Sequence, residues 1–172
     1  MKARMASPAT AYVGLGANLG NAKATLQQAL NELQATPGVL SCTPSRFYSS
    51  APVDATGPDF VNAVARLETT LPPHALLQAL QSIEQHHGRE RPWRNAPRTL
   101  DLDLLLHDQQ PVNDAVLTLP HPRLHERAFV LLPLKDLTPH MVLAQGTLDE
   151  LLARCAGQKL DVLPEAGDTL QG

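Results

Sequence analysis

Asp101 and Asp103 stand two residues apart in the segment TLDLDLLLH, and this spacing is the strongest chemical signal in the sequence. If the segment is a β-strand, its side chains alternate, so both carboxylates point to one face about 7 Å apart. Carboxylates this close repel each other, and a divalent cation such as Mg²⁺ removes the repulsion. Two ordinary surface aspartates on a solvated sheet face would show the same pattern. The opposite face of the strand is predicted to pack on helices through Leu100, Leu102, Leu104 and Leu106.

Arginines cluster in the sequence on both sides of these aspartates. Carboxylates together with arginines are the combination that phosphoryl transfer requires, because metal ions and guanidinium groups neutralise charge on the transferred group. A solvated basic loop that pairs with its own carboxylates is the simpler alternative. The arginines are Arg89, Arg91, Arg94 and Arg98 before the strand, and Arg123 and Arg127 after it.

A second candidate site lies in the segment FVNAVARLETT, which alternates as a strand does. Phe60 and Asn62 fall on one face of that strand. An aromatic plane beside a side-chain amide suits a flat heterocycle, although such a pair is more often plain sheet packing. His121, between two prolines, is likewise more often structural in this setting.

The glycines of GLGANLG are compatible with a phosphate loop, but their spacing misses the dinucleotide fingerprint by one residue. No Gly-Lys-Ser/Thr motif is present in the sequence. We therefore interpret Gly14, Gly16 and Gly20 as a tight turn between a strand and a helix.

The composition predicts one soluble, cytoplasmic domain. The chain has 172 residues, of which 43% are hydrophobic, and its net charge of −3 gives no general attraction to nucleic acid or to an anionic membrane. Two cysteines make neither a disulfide framework nor a zinc site. The start of the chain lacks the apolar run of a signal peptide. We expect a monomeric domain over 1–172, with 1–9 as an N-terminal extension and 158–172 as a C-terminal tail that either adds a short strand or frays.

The order of elements predicts an α+β fold. A strand over 10–18, a helix that ends near Pro37, a strand over 39–50, the strand from Phe60, a helix from Pro72 to Gly88 and the aspartate strand give the order β-α-β-β-α-β. This order is typical of a ferredoxin-like core with a largely antiparallel sheet and helices on one face. Pro44 predicts that the second strand lies at an edge or carries a bulge. Further C-terminal helices are predicted over 124–137 and after a capping box at 147–150.

Several of these segments together resemble one enzyme family. The segments AYVGLGANLGN, FYSSAPV, DFVNAVARLET, IEQHHGRER, RNAPRTLDLDLL and LPHPRLHERAFVLLPL occur in this order between Ala11 and Leu137. In their residues and order they resemble the 6-hydroxymethyl-7,8-dihydropterin pyrophosphokinases of folate biosynthesis. Ser50-Ala51 departs from the Thr-Pro that many members carry.

The resemblance implies an activity, cofactors and site residues. The family transfers the β,γ-diphosphate of ATP to the hydroxymethyl group of the pterin and releases AMP. Asp101 and Asp103 would then be catalytic and hold two Mg²⁺ ions, with Arg89 and Arg98 as the catalytic arginines. The implied ATP contacts are Gln81, Glu84, Arg91, Arg98, Leu104, Leu117, Thr118, His121 and Arg127. The implied pterin contacts are Ser50, Ala51, Pro52, Val53, Phe60, Asn62 and Phe129.

Two other classes of protein share parts of this pattern. A metal-dependent nucleotidyl transferase can carry the same pair of aspartates on a similar sheet, and it would release pyrophosphate rather than AMP. An RNA-binding module can have the same element order, but it would be basic and carry aromatic residues on its central strands. This chain is acidic and only 3% aromatic, which disfavours the RNA-binding module.

Overall fold

The computed structural model of the chain describes residues 8–17, 22–50, 60–88, 100–108, 111–158 and 160–163. The helices are α1 (Ala22–Ala35), α2 (Pro73–Gly88), α3 (Ala128–Leu137) and α4 (Leu148–Arg154), with a 3₁₀ turn over Leu124–Glu126. The strands are β1 (Ala9–Ala17), β2 (Val39–Pro44), β3 (Tyr48–Ser50), β4 (Phe60–Thr69), β5 (Asp101–His107), β6 (Val112–Asn113), β7 (Thr118–Leu119), β8 (Val142–Leu143), β9 (Gly146–Thr147) and β10 (Asp161–Val162).

The main sheet is antiparallel and has the order β10-β3-β4-β1-β5, with β2 also paired to β4. Strand β1 lies at its centre between β4 and β5. The predicted β-α-β-β-α-β core is therefore confirmed, because each helical connection passes one strand position: α1 joins β1 to β2 past the position of β4, and α2 joins β4 to β5 past β1. The hairpins β6–β7 and β8–β9 form two separate small sheets.

The predicted second strand is interrupted after Pro44. Its two parts, β2 and β3, both pair with β4, and Ser45 lies between them. The Ser45 amide donates to the carbonyl of Val64 at 2.8 Å, and the Ser45 hydroxyl accepts from the Val64 amide at 3.0 Å. A serine side chain thus replaces one backbone group of the ladder where the strand bends, which fits the irregularity predicted from Pro44.

One face of the sheet packs on α1 and α2. The apolar positions of each helix recur every three or four residues, so one side of each helix meets the sheet. The strands contribute alternate residues to this layer, among them Val13, Leu15 and Leu67. The first hydrophobic core lies here, and its helical members are Leu26, Ala29, Leu33, Leu76, Leu80 and Ile83.

The opposite face of the sheet packs on α3 and α4 around a second core, so the wholly solvated face considered from the sequence is wrong, although Asp103 is exposed. A second core joins Tyr12, Val64 and Leu105 to the two C-terminal helices. The pairing of β1 with β5 shifts between Tyr12 and Val13, and Leu105 and Leu106 both pack in this second core. The prediction that Leu106 faces α1 and α2 is therefore also wrong, because this irregularity breaks the strict alternation.

The C-terminal helices have clear local signals. Thr147 caps α4 and Glu150 completes the predicted capping box. The helix predicted over 124–137 is interrupted at Arg127, which has an extended backbone between the 3₁₀ turn and α3. None of the helices in the described ranges is both long and apolar enough to cross a membrane.

The Ser45 bridge should contribute measurably to stability. In Ser45→Ala the fully buried Val64 amide loses its acceptor, and an unsatisfied buried amide costs about 1–3 kcal/mol. We expect the free energy of unfolding in urea to fall by this amount. Thr43→Ala, at an exposed position of β2, is the matched control and should change it by less than about 0.5 kcal/mol. Equal stabilities of Ser45→Ala and the wild type would contradict this account of the strand break.

Candidate active site

Asp101 and Asp103 lie on β5 with their side chains toward one cavity, as their spacing predicts. Leu102, which separates them, is buried in the first core on the opposite face. Asp101 is partly buried and Asp103 is exposed. The strand therefore presents two carboxylates to the cavity because the leucines next to them are fixed in the core.

The residues opposite these aspartates on β1 are glycines. Gly16 pairs with Asp101, and Gly14 pairs with Asp103. Both glycines lie inside β1 and line the cavity, so the interpretation of these two as a strand-to-helix turn is wrong. Gly20, the third glycine of that interpretation, lies outside the described residues. A Cβ on Gly16 would lie 3.3 Å from Oδ1 of Asn62, closer than side chains normally allow. The absence of side chains here leaves open space beside the two carboxylates.

Asn62 fixes a polar group in the cavity wall. It is 5% exposed, and its Nδ2 donates to the hydroxyl of Ser50 at 2.8 Å. This hydrogen bond leaves Oδ1 on the side of Gly16. Phe60, two residues earlier on β4, lines the same cavity, as predicted from the alternation. An aromatic ring and a buried amide thus share one end of the cavity.

Helix α3 forms the wall that faces the sheet. Its first residues bring Arg127 and Phe129 to the cavity. The Arg127 guanidinium carbon lies 5.5 Å from the centre of the Phe129 ring, and Nη1 of Arg127 lies 4.0 Å from Oδ2 of Asp103. Arg127 therefore lies between the aromatic end of the cavity and the carboxylate end. The cavity has a volume of about 630 Å³, in the range of small-molecule sites.

Glu84 approaches the aspartates from the outer edge of β5. Its Oε2 accepts a hydrogen bond of 2.7 Å from the amide of Leu102, the residue between Asp101 and Asp103. The helical spacing of α2 alone does not predict this contact. The packing of α2 on β5 produces it, and a third carboxylate lies close to the aspartate strand as a result. Gln81, one turn earlier on α2, is exposed.

His121 is held in one orientation beside this site. Its Nδ1 accepts from the backbone amide of Arg123 at 3.1 Å, and its own amide donates to the carbonyl of Leu105 on β5. Burial lowers the pKa of His121, and the charges of Arg127 and Arg123 lower it further against the opposing effect of Asp103. The imidazole is thus neutral with its proton on Nε2, which can donate a hydrogen bond to an anion.

The structure brings part of the predicted set together. Ser50, Phe60, Asn62, Asp101, Asp103, Arg127 and Phe129 all line the cavity. The side chains of Leu104 and Leu117 are buried in the first core, so only their backbone groups can meet a ligand, and Thr118 is exposed on β7. The predictions for Ala51, Pro52, Val53, Arg89, Arg91 and Arg98 fall outside the described residues.

Comparison with known proteins defines the family. Residues 12–139 match the family model described as 7,8-dihydro-6-hydroxymethylpterin-pyrophosphokinase (HPPK). The chain belongs to this family. A relative from Pseudomonas aeruginosa, named 2-amino-4-hydroxy-6-hydroxymethyldihydropteridine pyrophosphokinase, is 45% identical over 157 residues, which cover 90% of this chain and 97% of the relative. A Haemophilus influenzae protein of the same name is 40% identical over 88% of this chain and 96% of its own length.

The solved structures agree with the HPPK fold. A Plasmodium falciparum HPPK-DHPS triple mutant, crystallised with pteroate, matches with a TM-score of 0.70 at 14% identity. The match covers 88% of this chain and 44% of that larger chain. At this level of identity the likeness shows the fold alone, and the present chain spans less than half of that protein.

Sequence reasoning missed some of the cavity residues of this HPPK chain. Gly14 and Gly16 were detectable, because β-strand alternation places both on one face, but the glycine-rich pattern favoured a turn. Gly157, Gln158 and Leu160 also line the cavity, and no local signal marks them. They reach it through a return of the chain that only the tertiary structure defines.

His121 should be neutral near pH 7, with its proton on Nε2. Because folding lowers its pKa below the ordinary value of 6.5, its contribution to stability is present above that pH and is lost as the pH falls through the folded-state pKa. Two-dimensional ¹⁵N NMR of the imidazole nitrogens, without Mg²⁺ or nucleotide, measures both the tautomer and the titration. The His121→Asn variant assigns the signal. A proton on Nδ1, or a midpoint above 6.5, would show that this account of the site is wrong.

Proposed function

We infer that this chain transfers the β,γ-diphosphate of ATP to the hydroxymethyl group of 6-hydroxymethyl-7,8-dihydropterin, giving the pterin diphosphate and AMP in folate biosynthesis. One observation carries the inference: a single cavity joins an aromatic and amide end to an end with two aspartates and an arginine. A flat heterocycle suits the first end, and a metal-bound triphosphate suits the second. Membership of the HPPK family supports the same reaction.

The pterin is proposed to lie between Phe60 and Phe129. The two rings come from opposite walls of the cavity, one from β4 and one from α3. A flat heterocycle between them gains stacking on both faces. The Asn62 amide can pair with the polar edge of the pterin, since its bond to Ser50 fixes its orientation. The family resemblance adds Ala51, Pro52 and Val53 to this pocket.

Asp101 and Asp103 are proposed to hold two Mg²⁺ ions. The donor set fits this metal: the aspartates offer hard oxygen ligands, and Mg²⁺ usually takes one or two carboxylates together with water and phosphate oxygens. Within the described residues, no group of three or more His, Cys, Asp or Glu side chains could enclose a metal ion by itself. When bound, Mg²⁺ would neutralise charge on the β- and γ-phosphates.

The basic and polar side chains are proposed to position the triphosphate. Arg127 lies next to Asp103 and can meet a phosphate oxygen, while the Nε2 proton of His121 supplies a neutral donor. By family resemblance Arg89, Arg91 and Arg98 add further charge from the preceding loop. The chain would thus work mainly by orientation and by neutralising charge.

The adenosine end of ATP is proposed to lie along the outer edge of β5. Glu84 contacts this edge from α2, Gln81 is exposed one turn earlier on the same helix, and Thr118 is exposed on β7. Backbone groups of Leu104 and Leu117 would complete the contact, because their side chains are buried.

We further propose that the enzyme acts as a cytoplasmic monomer without a nucleic-acid or membrane partner. The net charge of −3 favours the absence of these two partners, because it gives no general attraction to polyanions.

Product analysis tests the reaction. The protein should convert ATP and 6-hydroxymethyl-7,8-dihydropterin to equal amounts of AMP and pterin diphosphate when Mg²⁺ is present. Release of pyrophosphate with a nucleotidyl product would instead identify a nucleotidyl transferase. Asp101→Ala and Asp103→Ala should each lower kcat at least a hundredfold, or about 3 kcal/mol, as expected for a major electrostatic group.

The aspartate variants need a folded control. Asp149→Ala removes an exposed carboxylate that pairs with Lys135, and neither residue lines the cavity, so its turnover should equal that of the wild type. Circular dichroism should show all three variants folded, since each loses a carboxylate that is not buried in the core. Near-normal turnover of Asp101→Ala or Asp103→Ala would exclude the metal assignment.

Asn62→Ala tests the pterin end separately. The variant should bind the dihydropterin about 1–3 kcal/mol more weakly, because a polar group of the ligand loses its buried partner. The affinity for a non-hydrolysable ATP analogue should stay the same. Asn113→Ala, at an exposed position of β6, serves as the control. Calorimetry that shows equal losses for both ligands would mean that the substitution disturbs the sheet rather than the pterin contact.

A further inference from the structure

Gln158 connects the C-terminal segment to the start of α3. Its Oε1 accepts from the amide of Ala128 at 2.9 Å, and its Nε2 donates to the carbonyl of Glu126 at 3.0 Å. One side-chain amide thus holds the backbone on both sides of Arg127. Ala128 itself lies between Arg127, the N-cap of α3, and Phe129, and both of these residues line the cavity.

The start of α3 has no capping side chain of its own. Arg127 occupies the N-cap position, and its side chain makes no capping hydrogen bond. Pro133 lies inside the helix and has no amide proton to donate to the carbonyl of Phe129, four residues earlier. The first amides of a helix need an outside acceptor. Gln158 provides one from a position 30 residues later in the chain.

The same C-terminal segment closes one side of the cavity. Gly157, Gln158 and Leu160 line it together with Phe60, Asn62 and Phe129. Leu160 also packs against the second core.

The segment then joins the main sheet. In β10, Asp161 pairs with Ser49 on β3, next to the cavity residue Ser50. The amide of Leu163 donates to the carbonyl of Phe47 at 2.8 Å. The described residues of the segment are therefore held by Gln158 on α3 and by β10 on β3.

We propose that Gln158 is a positioning residue that sets Arg127 and Phe129 through the start of α3, and that Leu160 forms part of the wall that contacts the dihydropterin. The proposal rests on the proposed function and extends the site beyond residues 12–139, the part of the chain that matches the family model. Gln158 acts through α3 on both substrates, whereas Leu160 acts on the pterin alone.

Two variants and one matched control test this assignment. Gln158→Met keeps the length of the side chain but removes both hydrogen bonds, and Leu160→Ala removes the apolar wall. Thr147→Ala removes the N-terminal cap of α4, whereas Gln158 follows the C-terminal end of that helix. The control therefore lowers the stability of the same helical layer at a residue that does not line the cavity. Calorimetry measures the Kd of the dihydropterin with Mg²⁺ and a non-hydrolysable ATP analogue present, and the Kd of the analogue alone. Thermal unfolding of each variant is measured in parallel.

Gln158→Met should weaken both ligands about fivefold or more, and Leu160→Ala should weaken only the dihydropterin by about the same factor. Thr147→Ala should keep both Kd values within about twofold of the wild type, even if its Tm falls as much as that of Gln158→Met or Leu160→Ala. If Leu160→Ala binds the dihydropterin as tightly as the wild type, Leu160 does not contact this ligand. If Gln158→Met binds both ligands as tightly as the wild type, Gln158 has no positioning role. Equal losses in Thr147→Ala would show that lower stability alone explains the effects, and would overturn both.

If Gln158→Met does not fold, the Leu160→Ala result decides whether the segment belongs to the site. The wild-type protein separates this inference from the proposed function. If it forms AMP and binds the dihydropterin while the variants behave like the wild type, only the role of the C-terminal segment is refuted. If the wild type neither binds the dihydropterin nor forms AMP, the proposed function itself is refuted, and this inference with it.

Discussion

The pairing of β1 with β5 is the constraint on which the cavity depends. It places Gly14 opposite Asp103 and Gly16 opposite Asp101, so two carboxylates stand beside a stretch of strand without side chains. A shift by one residue would turn the aspartates into the first core and the leucines into the cavity. The burial of Leu102 and Leu104 between α1, α2 and the sheet prevents that shift. The hydrophobic packing of one face thus determines which charges appear on the other.

The wall opposite the sheet is held from outside its own helix. At the C-terminal end of α3, Asp136 accepts hydrogen bonds from the guanidinium of Arg46 and from the hydroxyl of Tyr48. Burial and the Asp136 carboxylate raise the pKa of Tyr48 to about 12, so its hydroxyl stays a donor. Arg66 from β4 also donates to the carbonyl of Leu137 at the same end. Contacts to strands at this end and to Gln158 at the other fix the distance between α3 and the sheet.

These contacts explain how α3 can form a wall of the cavity although it contains a proline. Pro133 removes one hydrogen bond within α3, but its side chain is buried. The apolar residues around it, Leu131 and Leu134, are fully buried against the sheet and α4. Tertiary packing therefore stabilises α3 more than its own hydrogen bonds do.

The sequence by itself determined the order of elements, the antiparallel ferredoxin-like core and the placing of Asp101 and Asp103 on one strand face. It also placed Phe60 beside Asn62 and found the capping box of α4. These features follow from local rules, because strand alternation, helical spacing and caps act within a few residues. The family resemblance reached further and gave His121 a ligand, whereas its residue type alone left it as a structural histidine.

Only the tertiary structure decided how distant parts of the chain meet. In the folded chain Glu84 accepts a hydrogen bond from the Leu102 amide between the two aspartates, and the glycines of β1 line the cavity. Helices α3 and α4 pack on the second face of the sheet. The fold also brings Gln158 back to the start of α3, 30 residues earlier. Neither the irregular pairing beside Leu105 nor this return is encoded by a local pattern, because each depends on which surfaces remain to be buried once the first core has formed.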